Sequence, residues 1–432
     1  METKECNVTW MNCVARGMFL VLGGLVLLLQ FIPSAVSAQA AQYLPSPLRL
    51  EQALQLAREH RPEIAAARAR ARAFAERPAI VSGLEDPMIS PSVDHLPFML
   101  DGADGSFTVE QRFPLSRIRS NRRRAAEAES QGARADIDKV ALDVELDATE
   151  AFLMLQERRG MAAILEEQRV LAQQFLRAAT ARYAAGTGGQ SDALRAEIEL
   201  SRLDGVLRSI GSDVRAAEVM LNSSMGRPAD EAVPALDSSI STAAPPAAEV
   251  VRVAALGGRP ELRAGNAEMS RAQAEISVMQ SMYAPMAVVR TGPAYTMTDG
   301  AGWMVMVGIS VPIWREKLRA GVAEAQWMAR MAEADLQSMR RMIEGEALAT
   351  RERVIGSRER FLSLRDDIIP RARRAIDPTL AGYASGQLPI ISVIEAAQVL
   401  RSSQSELTAA QFDLGLAWAR LRRAMGETGV PQ

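Results

Sequence analysis

Thiols are almost missing from this chain. Cys6 and Cys13 are its only cysteines, and both precede an apolar run at Met18–Ile32. Removal of that front on export leaves no disulfide, thiolate nucleophile or thiolate metal site. It also leaves no cysteine for lipid attachment at the cleavage point. Histidine is equally scarce. His60 and His95 stand in different predicted elements, without His-x-x-x-His spacing or an accompanying acid–nucleophile set. Neither catalysis nor a cofactor nor a resident metal is expected. Excess charge is absent too: 50 Lys and Arg face 52 Asp and Glu, so nothing draws the chain to nucleic acid. Aromatics are only 5%, too few for a thick globular core and usual for long helices. Past residue 40 no apolar run can span a bilayer as a helix, so any entry into a membrane must be as strands.

The front itself is informative. Lys4 and Arg16 precede the apolar run, and Val36-Ser37-Ala38 and Ala38-Gln39-Ala40 are small-x-small cleavage signals. Residues 1–40 read as a secretory signal peptide.

What is present is a duplication. Tyr183-Ala-Ala-Gly186, Leu194, Ala196, Leu200, Leu207, Ala217, Leu221 and Met225-Gly226 return as Tyr383-Ala-Ser-Gly386, Ile394, Ala396, Leu400, Leu407, Ala417, Leu421 and Met425-Gly426, all offset by 200. Further forward, Arg61-Pro62-Glu63 returns as Arg259-Pro260-Glu261, and Phe113-Pro114-Leu115 as Val311-Pro312-Ile313, offset by 198. The shared apolar positions are mostly three, four or seven apart, which is one face of a helix, and the glycine suits a helix-ending turn. So long a period marks a duplicated half-domain rather than a solenoid. Residues 41–226 form the first repeat, 227–248 a linker rich in Ala, Ser and Pro, and 249–432 the second repeat.

Each repeat carries helices, then strands, then long helices. A short amphipathic helix is expected at Leu48–Arg58 and another from Pro62 to about Arg77, where Pro78 interrupts it. Strands are expected within about 79–113 and 286–311. Ser106–Phe113 alternates Phe107, Val109 and Phe113 against Thr108, Glu110 and Arg112. Trp303–Val311 alternates Trp303, Val305, Val307, Ile309 and Val311 against Met304, Met306 and Ser310. An earlier, weaker strand lies around Ala79–Val93, with a loop at His95–Gly105; its counterpart is Met286–Thr296, turning at Met297–Gly302. Helical hairpins at 115–226 and 314–426 follow; the first has no proline from Leu115 to Ala184, and the second is expected to kink at Pro370 and Pro378. Four strands cannot close a barrel and open edges cannot sit in lipid, so a membrane-spanning form requires several chains in one ring.

The duplicated Arg-Pro-Glu helix, the strands ending in Phe-Pro or Val-Pro-Ile-Trp, and the Tyr-x-x-Gly turn followed by Leu/Ile-x-Ala resemble TolC-type outer membrane factors. The resemblance covers almost all of the mature chain. Glu85-Asp86-Pro87-Met88, Asp94-His95-Leu96-Pro97 and Glu110-Gln111-Arg112-Phe113-Pro114 are similar to the heavy-metal branch of CzcC and CusC type. The resemblance implies a homotrimer whose strands form a 12-stranded β-barrel in the outer membrane. It implies a long periplasmic α-barrel working with a periplasmic adaptor (a membrane fusion protein) and an inner-membrane RND-type pump. Heavy-metal cations are then the expected cargo, organic toxins or secreted proteins the alternative. A soluble periplasmic helical-hairpin adaptor is the competing architecture, opposed by the apolar strand faces.

Within this frame the gate lies shortly after the turn glycines. Asp192 and Glu395 are candidate acids, and Ser392 stands where an acid is expected; a helix-start carboxylate stabilised by the dipole is the plainer account of the first two. Tyr183, Gly186, Leu194, Tyr383, Gly386 and Ile394 mark the candidate adaptor-docking tips, although a turn that only needs small residues has the same sequence. Thr108, Glu110, Arg112, Met304, Met306 and Ser310 are the candidate lumen-facing positions. Thioethers suit Cu(I), but methionine also fills helical interfaces, and no tight Met-x-x-Met cluster recurs.

Overall fold

A computed structural model of the chain describes residues 44–94, 104–296 and 298–429. The signal segment with Cys6 and Cys13, the loop residues 95–103 with His95, and Met297 lie outside the described residues. The elements that follow all lie in one compact unit, residues 46–432.

The order of elements repeats. The first copy runs α1 (Leu50–His60), α2 (Pro62–Ser82), β1 (Met88–Asp94), β2 (Asp104–Pro114), α3 (Ile118–Ala184) and α4 (Gln190–Ser224). The second runs α5 (Ala248–Gly258), α6 (Pro260–Ser281), β3 (Met286–Thr296), β4 (Gly300–Ser310), α7 (Arg315–Ser363), a π-helical turn (Leu364–Ile368), α8 (Ile369–Ala384) and α9 (Ile390–Met425). Helices α1 and α5 begin and end at the same 198 offset that the sequence showed.

Helix α3 is the spine. Its 67 residues rise about 100 Å at 1.5 Å each. It packs against α1, α2, α4, α6 and α9, while α7 packs against α5, α6 and α9. The second copy's core joins Val251 and Ala255 of α5 to Ile343, Ala347 and Val354 of α7 and Leu414 and Leu421 of α9. The first copy's equivalent joins Leu54 and Ala57 of α1, Ile64 of α2, and Val144 and Ala148 of α3. Each fully buried aliphatic side chain contributes about 1.5–3 kcal/mol.

Both helical hairpins turn at a left-handed glycine. Gly186 has φ 65° and Gly386 has φ 81°. The N–H of Thr187 then reaches back to the Arg182 carbonyl (2.9 Å), and that of Gln387 to Gly382 (2.8 Å), capping the helix ends.

The Arg-Pro-Glu motif closes each copy upon itself. Arg61 pairs with Glu63 at 2.8 Å and donates to the Ser224 carbonyl at the end of α4 (3.4 Å). Arg259 pairs with Glu261 at 2.9 Å and donates to the Arg423 carbonyl near the end of α9 (3.5 Å). The proline occupies the first helical position, where no N–H is needed, and the arginine supplies a cation to a helix C-terminus. The linker is pinned as well: Leu48 donates to the Ala235 carbonyl (2.8 Å) and Asp237 donates to Leu48 (2.9 Å).

Several expectations are corrected. Pro78 does not interrupt α2, which continues to Ser82, because packing along α3 supports the turn that lacks one hydrogen bond. The first strand starts at Met88 rather than near Ala79, since that stretch is helix. The second copy's last strand is Gly300–Ser310, beginning three residues before and ending one before the expected Trp303–Val311. Pro378 sits inside α8 without ending it, whereas Pro370 opens α8 behind the π-helical turn. A proline cannot donate four residues back, so the preceding turn widens.

The four strands form one antiparallel sheet in the order β1-β2-β3-β4. The central β2–β3 pairing joins the two copies side by side.

Candidate functional site

The sheet is inside out by the standards of a globular protein. Register places Glu110 opposite Met88 and Arg290, and Arg290 opposite Met306. Thr108 lies opposite Ser90, Arg112 opposite Val288, and Ser310 opposite Met286. Side chains alternate across a strand, so Thr108, Glu110, Arg112, Met304, Met306 and Ser310 share one face. Thr108 is only 4% exposed and Glu110 7%, whereas on the other face Trp303 is 69% exposed and Val307 68%. Phe107, Val305 and Ile309 stand bare beside them. A sheet that buries the middle of its polar face, at Thr108 and Glu110, and leaves its apolar face bare is built for an apolar surrounding.

The polar face is held by one carboxylate. Glu110 Oε2 accepts from Arg290 Nε at 3.0 Å, and Oε1 accepts from Arg112 Nε at 3.4 Å. Ser92 and Ser106 share a hydroxyl hydrogen bond of 2.7 Å higher on the same face. At Gly292 the neighbouring strand comes so close that an added Cβ would lie 1.9 Å from the Phe107 carbonyl oxygen. Arg290 was not singled out from sequence. Its only signal is a cation at the polar parity of an otherwise apolar strand.

The hairpin turns meet at the opposite end of the helices. Tyr383 is fully enclosed among Phe175, Ala179, Ala196, Ile390, Val393 and Ile394. Its hydroxyl donates to Asp192 Oδ2 at 3.3 Å. The Arg182 guanidinium lies 4.7 Å from the centre of its ring. Arg182 Nη1 also donates to the Tyr383 carbonyl, and Nη2 to its own turn at the Thr187 carbonyl, 2.9 Å away. Burial first, and then the Asp192 carboxylate, push the Tyr383 hydroxyl above its ordinary pKa. The first hairpin therefore grips the second through one arginine and one aspartate.

Among the tip candidates, Tyr183 and Leu194 are exposed, while Tyr383 and Ile394 are buried and present no side chain to a partner. Of the gate candidates, Asp192 is engaged by Tyr383, Ser392 is half-buried in the first turn of α9, and Glu395 is exposed. Arg182 was missed because the equivalent position of the second copy is Gly382, so the repeat gave it no echo. Among the described residues, no helix is long and apolar enough to cross a membrane, and no group of three or more His, Cys, Asp and Glu is placed to hold a metal ion.

Residues 251–427 match the family model described as "Outer membrane efflux protein". That span is the second copy, and the first copy repeats its elements in the same order. Over that second copy the chain is similar to the TolC-type outer membrane efflux proteins. The family's members are ducts rather than enzymes.

Relatives within this family are distant. The cobalt-zinc-cadmium resistance protein CzcC of Cupriavidus metallidurans is 24% identical over 299 residues, covering 68% of this chain and 70% of that one. The outer membrane efflux protein BepC of Brucella suis biovar 1 is 22% identical over 316 residues, covering 71% and 68%. The fold is that of solved efflux channels. The outer-membrane channel OprN matches with a TM-score of 0.76 at 16% identity, over 88% of this chain and 90% of that one. CusC matches with a TM-score of 0.76 at 12% identity, over 88% and 92%.

Proposed function

We propose that three copies of this efflux protein close one twelve-stranded barrel in the bacterial outer membrane. Each copy contributes its four strands, and the helices extend into the periplasm as a second tube. The observation that carries this reading is the sheet: its apolar face is bare and, among the described residues, β1 and β4 are its unpaired edges. Unpaired edges in lipid leave backbone N–H and C=O groups unsatisfied, at several kcal/mol each, and a shared barrel pairs them. In this reading residues 1–40 direct export and are removed.

The duct is passive. Substrate reaches it from an inner-membrane RND-type pump through a periplasmic adaptor. The exposed tip residues Tyr183 and Leu194 are the docking positions for that adaptor, with Gly186 and Gly386 shaping the turns. The gate lies at the same end, where Asp192 and Tyr383 hold the two hairpins together and Ser392 and Glu395 lie just beyond. The cargo is heavy-metal cations, supported by the likeness to CzcC. The comparable likeness to BepC keeps a second cargo, organic toxins, in view.

Membrane fractionation with detergent-solubilised mass tests the architecture. A heat-sensitive species near three chain masses in the outer membrane is expected; a monomer in the soluble periplasm overturns the reading and favours a helical-hairpin adaptor. Deletion of the gene then separates the cargoes. Sensitivity to cobalt, zinc or cadmium supports metal export, and unchanged metal tolerance with new sensitivity to organic toxicants reverses it.

A further inference from the structure

The polar face of the sheet carries its charges at two separated levels. At the end nearest the helices stand Glu110, Arg112 and Arg290. At the far end stands Asp104. Asp104 is six residue steps along the strand from Glu110, about 20 Å at 3.3 Å per residue. That is more than two Debye lengths at physiological ionic strength, where the Debye length is about 8 Å. The two levels therefore act independently on a mobile ion.

At the inner level the charges do not cancel. Glu110 has both oxygens engaged, Oε2 by Arg290 and Oε1 by Arg112, and its side chain is 7% exposed. The two arginine side chains remain open, Arg112 at 54% and Arg290 at 36% exposure. The residue opposite Arg290 on β4 is Met306, and the one opposite Arg112 on β3 is Val288, so β3 and β4 supply no second acid at these positions. The carboxylate is hidden and spent on holding the guanidinium groups in place. What faces the open side of the sheet is cationic.

We infer that Arg112 and Arg290, organised by Glu110, form a basic ring at the inner end of the barrel that favours anions over cations. This rests on the three-copy channel proposed above and not on which cargo the pump delivers. Three clusters, each with one surplus positive charge, surround the lumen at one height, and rings of like charge set the ionic preference of a pore.

The test is the reversal potential of the purified full-length trimer in planar bilayers under a potassium chloride gradient. The expected order of anion preference is Glu110→Gln above wild type, and wild type above Arg290→Gln and Arg112→Gln. Three unit charges on the order of 10 Å from the axis, screened at physiological salt, predict a change of about two- to four-fold in the chloride-to-potassium permeability ratio per substitution. Arg290→Lys keeps the charge and should keep the wild-type ratio, which separates charge from packing. The differences should fade near 1 M salt, where the Debye length is about 3 Å. A conducting trimer with one reversal potential across all the variants overturns the ring and leaves the channel standing. Absence of both trimer and conductance overturns the channel, and the ring with it.

Discussion

Tyr183 and Tyr383 hold the same position in two copies of one unit, yet the first is 49% exposed and the second is fully buried. The neighbouring pair behaves alike: Leu194 is exposed and Ile394 buried. So does the motif at the front of each copy, where the Arg259 side chain is 4% exposed and that of Arg61 15%. Size is traded around the turns as well. The first copy has Arg182 and Gly188; the second has Gly382 with Leu388 packed over it. Duplication kept the backbone and its turn glycines, while the side chains diverged into a buried partner and an exposed one. At the hairpin turns the second copy became framework, and the first kept the surface.

This contrast can be broken by substitution in matched pairs. The largest effect is expected from Tyr383→Ala, which empties a closed site and should cost about 3–5 kcal/mol, the range for large aromatic truncations. Tyr183→Ala should stay within about 0.5 kcal/mol, as exposed positions do. Thermal unfolding of the detergent-purified protein compares them, and equal losses would deny the asymmetry. Arg259→Ala should cost about 3 kcal/mol, the lower end for breaking a buried ion pair, because Arg423 still reaches Glu261 at 3.4 Å. Arg61→Ala should cost clearly less, since its partners Glu63 and Asp147 are half-exposed or more.

Close approach provides a third pair. Where the first copy has His60, the second has Gly258, and a Cβ there would lie 2.4 Å from the Met425 carbonyl oxygen. Gly258→Ala should therefore cost about 1–3 kcal/mol through overpacking against backbone. A smaller effect is expected at the turns. Asp192→Asn keeps the shape and weakens one hydrogen bond, worth about 1 kcal/mol, and should raise protease cleavage near residue 186. Glu395→Gln should leave that cleavage unchanged.

The smallest effect is one of pH. Arg61 holds the Glu63 carboxyl below its ordinary pKa, chiefly through their hydrogen bond. A lowered folded-state pKa adds stability above the ordinary carboxylate range, and that addition disappears as pH falls through the lowered value. Burial pushes the Asp147 carboxyl the other way, so its charging opposes folding as pH rises. The melting difference between wild type and Arg61→Ala should therefore be larger at neutral pH than below the depressed pKa of Glu63. An unchanged difference across that window would show that the clamp acts by packing alone.

Much of this was legible before any coordinates. The bounds of β3, the face shared by Thr108, Glu110 and Arg112, and the turns at Gly186 and Gly386 follow from period and spacing alone. Those signals are local, and local pattern survives duplication. What escaped was non-local. Nothing in the repeat marks Arg182 as the residue that spans both turns, because the copy opposite carries glycine. Nothing in β3 says that Arg290 meets Glu110, because that depends on the two copies lying edge to edge. Pro78 misled for a related reason: a proline breaks an isolated helix, but α2 lies along α3 and draws its stability from that contact.

The bare face and open edges of the sheet also bear on how such a protein is made. In the three-copy reading, β1 and β4 find their hydrogen-bond partners only on other chains. Completing the sheet is then a collision between molecules rather than a rearrangement within one, and its rate depends on how many chains are present. An early arrival must wait with an aggregation-prone surface uncovered. Slow synthesis prolongs that wait, so expression level and folding yield are coupled for this chain as they are not for a self-contained domain.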